Sequence, residues 1–202
     1  MAWFDGGMGQ QATGVDGLVS RGWARLERYL GPASRASLAK PAGLAWRPLA
    51  PRVGVVTQSG WFAEVPIEEV PGQVRAFGSV IHGLVEQSVE ADVPAFNEVT
   101  WQRYLPGDGH IDPHRDQAFY KGAIVIVTLA GCAQFVILAS RNPPVVSASW
   151  ATGVGDVVIL RGAGLGGPQS RCPLHSVGPP ATERLTVSFR HNEKGPGGWA
   201  ER

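Results

Sequence analysis

Two overlapping His-x-Asp units lie in the segment GHIDPHRDQAFY: His110 with Asp112, and His114 with Asp116. On a strand, residues i and i+2 project to the same side, so a histidine and a carboxylate at that spacing can hold one metal ion together. A third ligand must come from elsewhere, and His175 follows further along the chain. Two histidines and one carboxylate on one face of a metal leave three positions open. A non-haem Fe(II) oxygenase needs that arrangement, because a bidentate co-substrate and O2 must both reach the iron. Zinc takes the same ligand types but typically keeps fewer positions open. Spacing alone leaves both His-x-Asp units available.

A second signal follows His175. In RLTVSFR the residues alternate, with Leu185, Val187 and Phe189 on one side and Arg184, Thr186, Ser188 and Arg190 on the other. In a packed barrel the inward side would usually be apolar. Buried arginines need anionic partners, and Arg is well suited to binding carboxylates through two parallel hydrogen bonds. A dicarboxylate such as 2-oxoglutarate would supply two such partners.

These residues must be carried by elements, and the chain after Phe96 reads as strands. FNEVTWQRY (96–104), GAIVIVTL (122–129), AQFVIL (133–138), VVSASW (145–150), DVVIL (156–160) and RLTVSFR (184–190) are short, β-rich and separated by Gly and Pro turns. They point to an antiparallel double sheet, a sandwich or barrel. In front of it, residues 16–30 place Leu18, Trp23, Leu26 and Leu30 near helical spacing, which predicts a helix ending at Gly31-Pro32. Pro71 opens a second helix with Val74, Phe77, Ile81, Leu84 and Val85 on one face. Residues 40–70 are proline-rich and read as loop with short strands, and the Gly-rich residues 1–15 as a mobile terminus.

Composition narrows the classes. The chain has 202 residues, 44% of them hydrophobic, and a formal net charge of +1, so one globular domain fits and a long basic nucleic-acid groove does not. No stretch approaches the ~20 apolar residues of a membrane span. The start MAWFDGGMGQ lacks a secretory pattern. Two cysteines, Cys132 and Cys172, make no disulfide framework, so a cytoplasmic setting is expected. Asp108 and Asp156 read as turn residues, Trp101 and Trp150 as packing, Cys172 as a buried thiol, and His82 and His191 as structural.

The run QRYLPGDGHIDPHRD, then IVIVTLAG, GDVVILRG, SRCPLH and RLTVSFR, resembles the AlkB-like Fe(II)/2-oxoglutarate-dependent dioxygenases in order and content over about residues 96–192. The resemblance implies an α+β, mainly β fold. It is a double-stranded β-helix (jelly roll) over 71–202 with N-terminal helices packed on the sheet, and 1–70 is a partly flexible extension or substrate lid. It implies His114, Asp116 and His175 as catalytic iron ligands, with His110 and Asp112 left outside. It further implies Tyr104 and Arg184 on the distal carboxylate of 2-oxoglutarate and Arg190 near its 2-oxo acid end. Gln102 stands where the family usually has Asn. Arg171 matches a family arginine, and with Phe119 and Tyr120 it is a candidate for substrate contact. The implied cofactor is Fe(II), with 2-oxoglutarate and O2 as co-substrates and no membrane or obligate protein partner. Repair members of the family often carry acids just after the metal Asp, but here the segment is Gln117-Ala118-Phe119-Tyr120. The substrate is therefore either an alkylated nucleobase in nucleic acid or a small molecule. Arg103, Arg115, Lys121, Arg141 and Arg171 are candidates for a cationic cluster at the pocket mouth.

Overall fold

The computed structural model describes residues 15, 17–167 and 171–197. The mobile terminus expected over residues 1–15 lies, except for Val15, outside the described residues. Among the described residues, thirteen strands form two antiparallel sheets. In chain order they are β1 (Trp23–Leu26), β2 (Arg47–Pro48), β3 (Arg52–Val53), β4 (Val56–Ser59), β5 (Trp61–Pro66), β6 (Glu98–Tyr104) and β7 (His110–His114). There follow β8 (Tyr120–Ala130), β9 (Ala133–Arg141), β10 (Pro144–Thr152), β11 (Val157–Arg161), β12 (Leu174–Val177) and β13 (Arg184–Asn192). The larger sheet runs β1-β11-β8-β13-β6-β5-β2 and the smaller β10-β9-β12-β7-β4-β3. This is the mainly β double-stranded β-helix expected of the sequence.

The α-helices among the described residues are α1 (Gly17–Arg21), α2 (Pro32–Ser37) and α3 (Gly72–Val89). The alternation of β13 does what its pattern implies. Val187 and Phe189 face away from the smaller sheet and pack under α3, where Phe77 meets Phe189 with ring centroids 5.4 Å apart. Helix α3 presents Val74, Phe77, Ile81 and Val85 to that core, each burial contributing on the order of 1.5–3 kcal/mol. Strands β8 and β11 are apolar on both faces. Val125, Val127, Val157 and Ile159 join the α3 side, while Ile124, Val158 and Leu160 join a second core between the sheets with Phe135 and Ile137.

The helix expected over 16–30 is not formed. A short α1 (Gly17–Arg21) stops at Gly22, whose φ of +86° turns the chain, and the following residues become β1. Residues 23–26 pair with β11 from Trp23↔Leu160 to Leu26↔Val157. Ala24 and Leu26 are buried, and Trp23 stacks on Trp150 at 4.8 Å. Apolar residues at 23, 26 and 30 suit a helix, but those at 24 and 26 also suit a strand, and the open edge of β11 decides between them. Asp156 is more than a turn residue, for it is buried and accepts from Arg25 Nη2 (2.9 Å) and the Arg28 amide (2.8 Å). Strands β1 to β5 extend both sheets ahead of residue 70. No helix among the described residues is long and apolar enough to cross a membrane.

Candidate metal centre

Strands β7 and β12 pair antiparallel with His114 opposite His175. The register sets the two imidazoles side by side, ring centroids 4.3 Å apart. Asp116 lies two residues past His114, beyond the end of β7, and its carboxylate turns back toward the pair. The candidate ligand atoms of His114, Asp116 and His175 all lie within 4.8 Å of one another. Metal–ligand bonds of about 2.1 Å could span that separation with little movement.

The protonation states suit a divalent ion. His114 Nδ1 donates to the Asp112 carbonyl (2.9 Å) and His175 Nδ1 to the Pro173 carbonyl (3.0 Å). A carbonyl oxygen only accepts, so both Nδ1 atoms carry the hydrogen, and Nε2 is the nitrogen of each ring left to meet a metal. Burial, and then the proximity of His114, pushes His175 down to about 4. Burial alone would raise Asp116, but His175, His114 and Arg190 outweigh it and hold the carboxyl below its usual range. At neutral pH His175 is therefore a neutral imidazole and Asp116 an ionised carboxylate, the forms metal binding requires. Phe135 stacks on the His175 ring at 5.5 Å and 11°.

The cluster opens into a cavity of about 1080 Å³ between the sheets. Gln102, Tyr104, Phe119, Tyr120, Arg184 and Arg190 line it together with the three metal-ligand candidates. Arg184 is 2% exposed, yet it spends one donor on Thr128 Oγ1 (3.3 Å) and lies over the Tyr104 ring. Arg190 donates to Tyr120 Oη (3.3 Å) and pairs with the buried Glu98 carboxylate at 3.9 Å. The Nε atoms of both arginines and Thr186 Oγ1 are buried without a hydrogen-bond partner. Buried, unpartnered guanidinium N–H groups fit a carboxylate-bearing ligand. Burial keeps the Tyr104 phenol protonated, raising it despite Arg184 and Arg190, so it is a donor as well.

The other candidates divide. Phe119 and Tyr120 form one wall, ring centroids 4.7 Å apart. Arg115 and Lys121 line the cavity, whereas Arg171 is exposed and does not, Arg103 bonds Glu183 (2.6 Å), and Arg141 faces a separate cleft. His110 and Asp112 stay outside the cluster: Asp112 accepts from Thr57, and His110 Nδ1 donates to the Asp108 carbonyl (2.6 Å). Sequence reasoning missed Arg52 and Lys194 as lining residues and the contact of Cys172 with Asp116. Nothing in the pattern around Arg52 marks it, since it sits on the β3–β4 hairpin in a proline-rich stretch. Cys172 had a signal, its place just before His175.

No protein-family model and no curated protein matches the chain. Its fold is similar to that of a Pseudomonas putida prolyl-4-hydroxylase, at 18% identity and TM-score 0.66 over 91% of this chain and 99% of the other. A 2-oxoglutarate/Fe(II) oxygenase-family oxidoreductase from Burkholderia pseudomallei is similar at 18% identity and TM-score 0.59, over 96% and 94%. So is SnoN, a non-haem α-ketoglutarate-dependent epimerase of nogalamycin biosynthesis, at 15% identity and TM-score 0.63, over 88% and 82%. The chain thus has the fold seen in 2-oxoglutarate/Fe(II) oxygenases.

Proposed function

We propose that the protein is an AlkB-like, Fe(II)- and 2-oxoglutarate-dependent dioxygenase. One observation carries the reading: the His114–Asp116–His175 cluster shares a cavity with buried Arg184 and part-buried Arg190, whose buried Nε–H groups have no hydrogen-bond partner. His114, Asp116 and His175 would hold Fe(II). Arg184 and Tyr104 would hold the distal carboxylate of 2-oxoglutarate, with Arg190 near its 2-oxo acid end and Gln102 as a further donor from the cavity wall. Once bound, Fe(II) with 2-oxoglutarate and O2 supplies the oxidation, in which one oxygen atom enters a substrate C–H bond and the other leaves in succinate, with CO2 released. The protein's own residues orient the co-substrate, and Phe135, Ile124 and Ile126 make the apolar wall that limits water.

For the substrate, an alkylated nucleobase in nucleic acid is the leading reading. Phe119 and Tyr120 offer a ring surface, and Arg52, Arg115, Lys121 and Lys194 line the cavity with Glu193 as the counter-charge. Hydroxylation of an N-methyl group would release formaldehyde and leave the nitrogen demethylated. A small molecule is the second reading, favoured by the net charge of +1 and by the similarity to SnoN.

The test is succinate formation by anaerobically Fe(II)-loaded protein exposed to air, alone and with N-methylated single-stranded DNA, with His114→Ala as control. Succinate and matching formaldehyde that rise with the DNA are expected. Succinate that ignores DNA but vanishes in the variant would move the substrate to small molecules. No succinate and no 2-oxoglutarate binding would leave a jelly-roll binding protein.

A further inference from the structure

The three metal-ligand candidates are not oriented in the same way. His114 and His175 sit on paired strands, and each ring is fixed by its Nδ1 hydrogen bond to a backbone carbonyl. Asp116 has neither support, because it lies past the end of β7, where no strand pairing holds it. Its one hydrogen-bond donor among the described residues is the Cys172 thiol, with Sγ 3.4 Å from Asp116 Oδ2. A second bond crosses the same gap in the opposite sense. Arg115, next to Asp116, donates from Nη1 to the Cys172 carbonyl at 2.5 Å. Residues 115–116 and Cys172 are thus joined by a reciprocal pair, side chain to backbone one way and side chain to side chain the other. Cys172 is 4% exposed, so no water competes freely for the thiol hydrogen.

We infer that Cys172 is a positioning residue for the metal carboxylate. Its thiol holds Asp116 Oδ2, the oxygen that also lies 3.8 Å from His175 Nε2, and thereby fixes the rotation of the carboxylate toward the histidine pair. Groups that orient metal ligands from behind are commonly worth 10–100-fold in metal affinity. A thiol is a weak donor, which places the expected effect toward the lower end of that range. The inference rests on the reading of His114, Asp116 and His175 as a metal centre.

The experiment titrates the full chain, stripped of metal, with Co(II) under anaerobic conditions, following the visible absorption of the ion. Wild type is compared with Cys172→Ser, which keeps a donor, and with Cys172→Ala and Cys172→Val, which do not. Circular dichroism of the metal-free variants checks that each is folded. The expected result is a roughly tenfold weaker Co(II) affinity in the Ala and Val variants, with altered Co(II) bands and rescue by Ser. If Ala does not fold, the comparison of Val, close in volume to Cys, with Ser carries the test. Wild-type affinity in Val or Ala would overturn the inference, as would equal loss in Ser and Val, since packing alone would then explain it. Failure of wild type itself to bind Co(II) would instead remove the metal centre on which the inference stands.

Discussion

Burying the guanidinium of Arg184 is costly, and the fold returns little for it: one bond to Thr128 and the face of Tyr104. Burial also works against its charge, lowering its pKa from the usual arginine value. A ligand carboxylate meeting the guanidinium through two parallel bonds would offset that cost. Arg184→Lys keeps the charge but loses the planar fork. It is expected to weaken 2-oxoglutarate binding to the Co(II)-loaded protein about tenfold or more while leaving Co(II) affinity unchanged, both read by calorimetric titration. Unchanged 2-oxoglutarate affinity would take Arg184 out of the co-substrate site. Arg184 was legible from the sequence. Arg184, Thr186 and Arg190 stand out because a strand that alternates Leu, Val and Phe leaves them on the opposite face. Cys172 carried no such contrast. A thiol shortly before a histidine reads as a buried structural group, and only the return of Asp116 past the end of β7 shows what it touches.

At the scale of elements, the turn between β8 and β9 decides where Arg184 begins its strand. Gly131 has φ +71°, and a Cβ there would lie 2.8 Å from Arg184 Cα. Gly131→Ala must either strain its backbone, at about 1–3 kcal/mol, or push the start of β13 away. The expected outcome is a lower urea midpoint together with weaker 2-oxoglutarate binding. Gly153→Ala, with nothing within 4 Å of its added methyl, should change neither by much. Loss of stability without loss of binding would mean that β13 yields elsewhere. The same scale shows where sequence reasoning fell short. Strands β6, β8, β9, β10, β11 and β13 were legible because each carries a run of β-formers bounded by Gly or Pro. β12, at four residues from Leu174 to Val177, is too short to show a period, and it is placed by its pairing with β7 and β9. β1 was misread for a related reason: four residues that satisfy both periods are resolved only by the unpaired edge of β11.

Across the whole molecule, the two histidines come from the smaller sheet, Asp116 from the segment just past β7, and the arginines from the larger sheet. The site therefore exists only when the two sheets face each other, and its ionisation is tied to folding. His175 is depressed to about 4 in the folded protein, against about 6.5 in an unfolded chain. Between those values the unfolded chain binds a proton that the folded one refuses, so stability rises with pH across the window. The contribution of neutral His175 is full above about pH 6.5 and is lost as the pH falls toward 4, on the order of 3 kcal/mol in all. Metal-free wild type should show this slope in urea unfolding, and His175→Gln should be flatter over the same range. Equal slopes would mean that another group carries the pH dependence. A divalent ion adds a second, separable effect, because it binds the folded state through deprotonated ligands and stabilises it by RT ln(1 + [M]/Kd). Added Co(II) should therefore raise the urea midpoint of wild type more at pH 7 than at pH 5, and leave that of His175→Gln nearly unmoved.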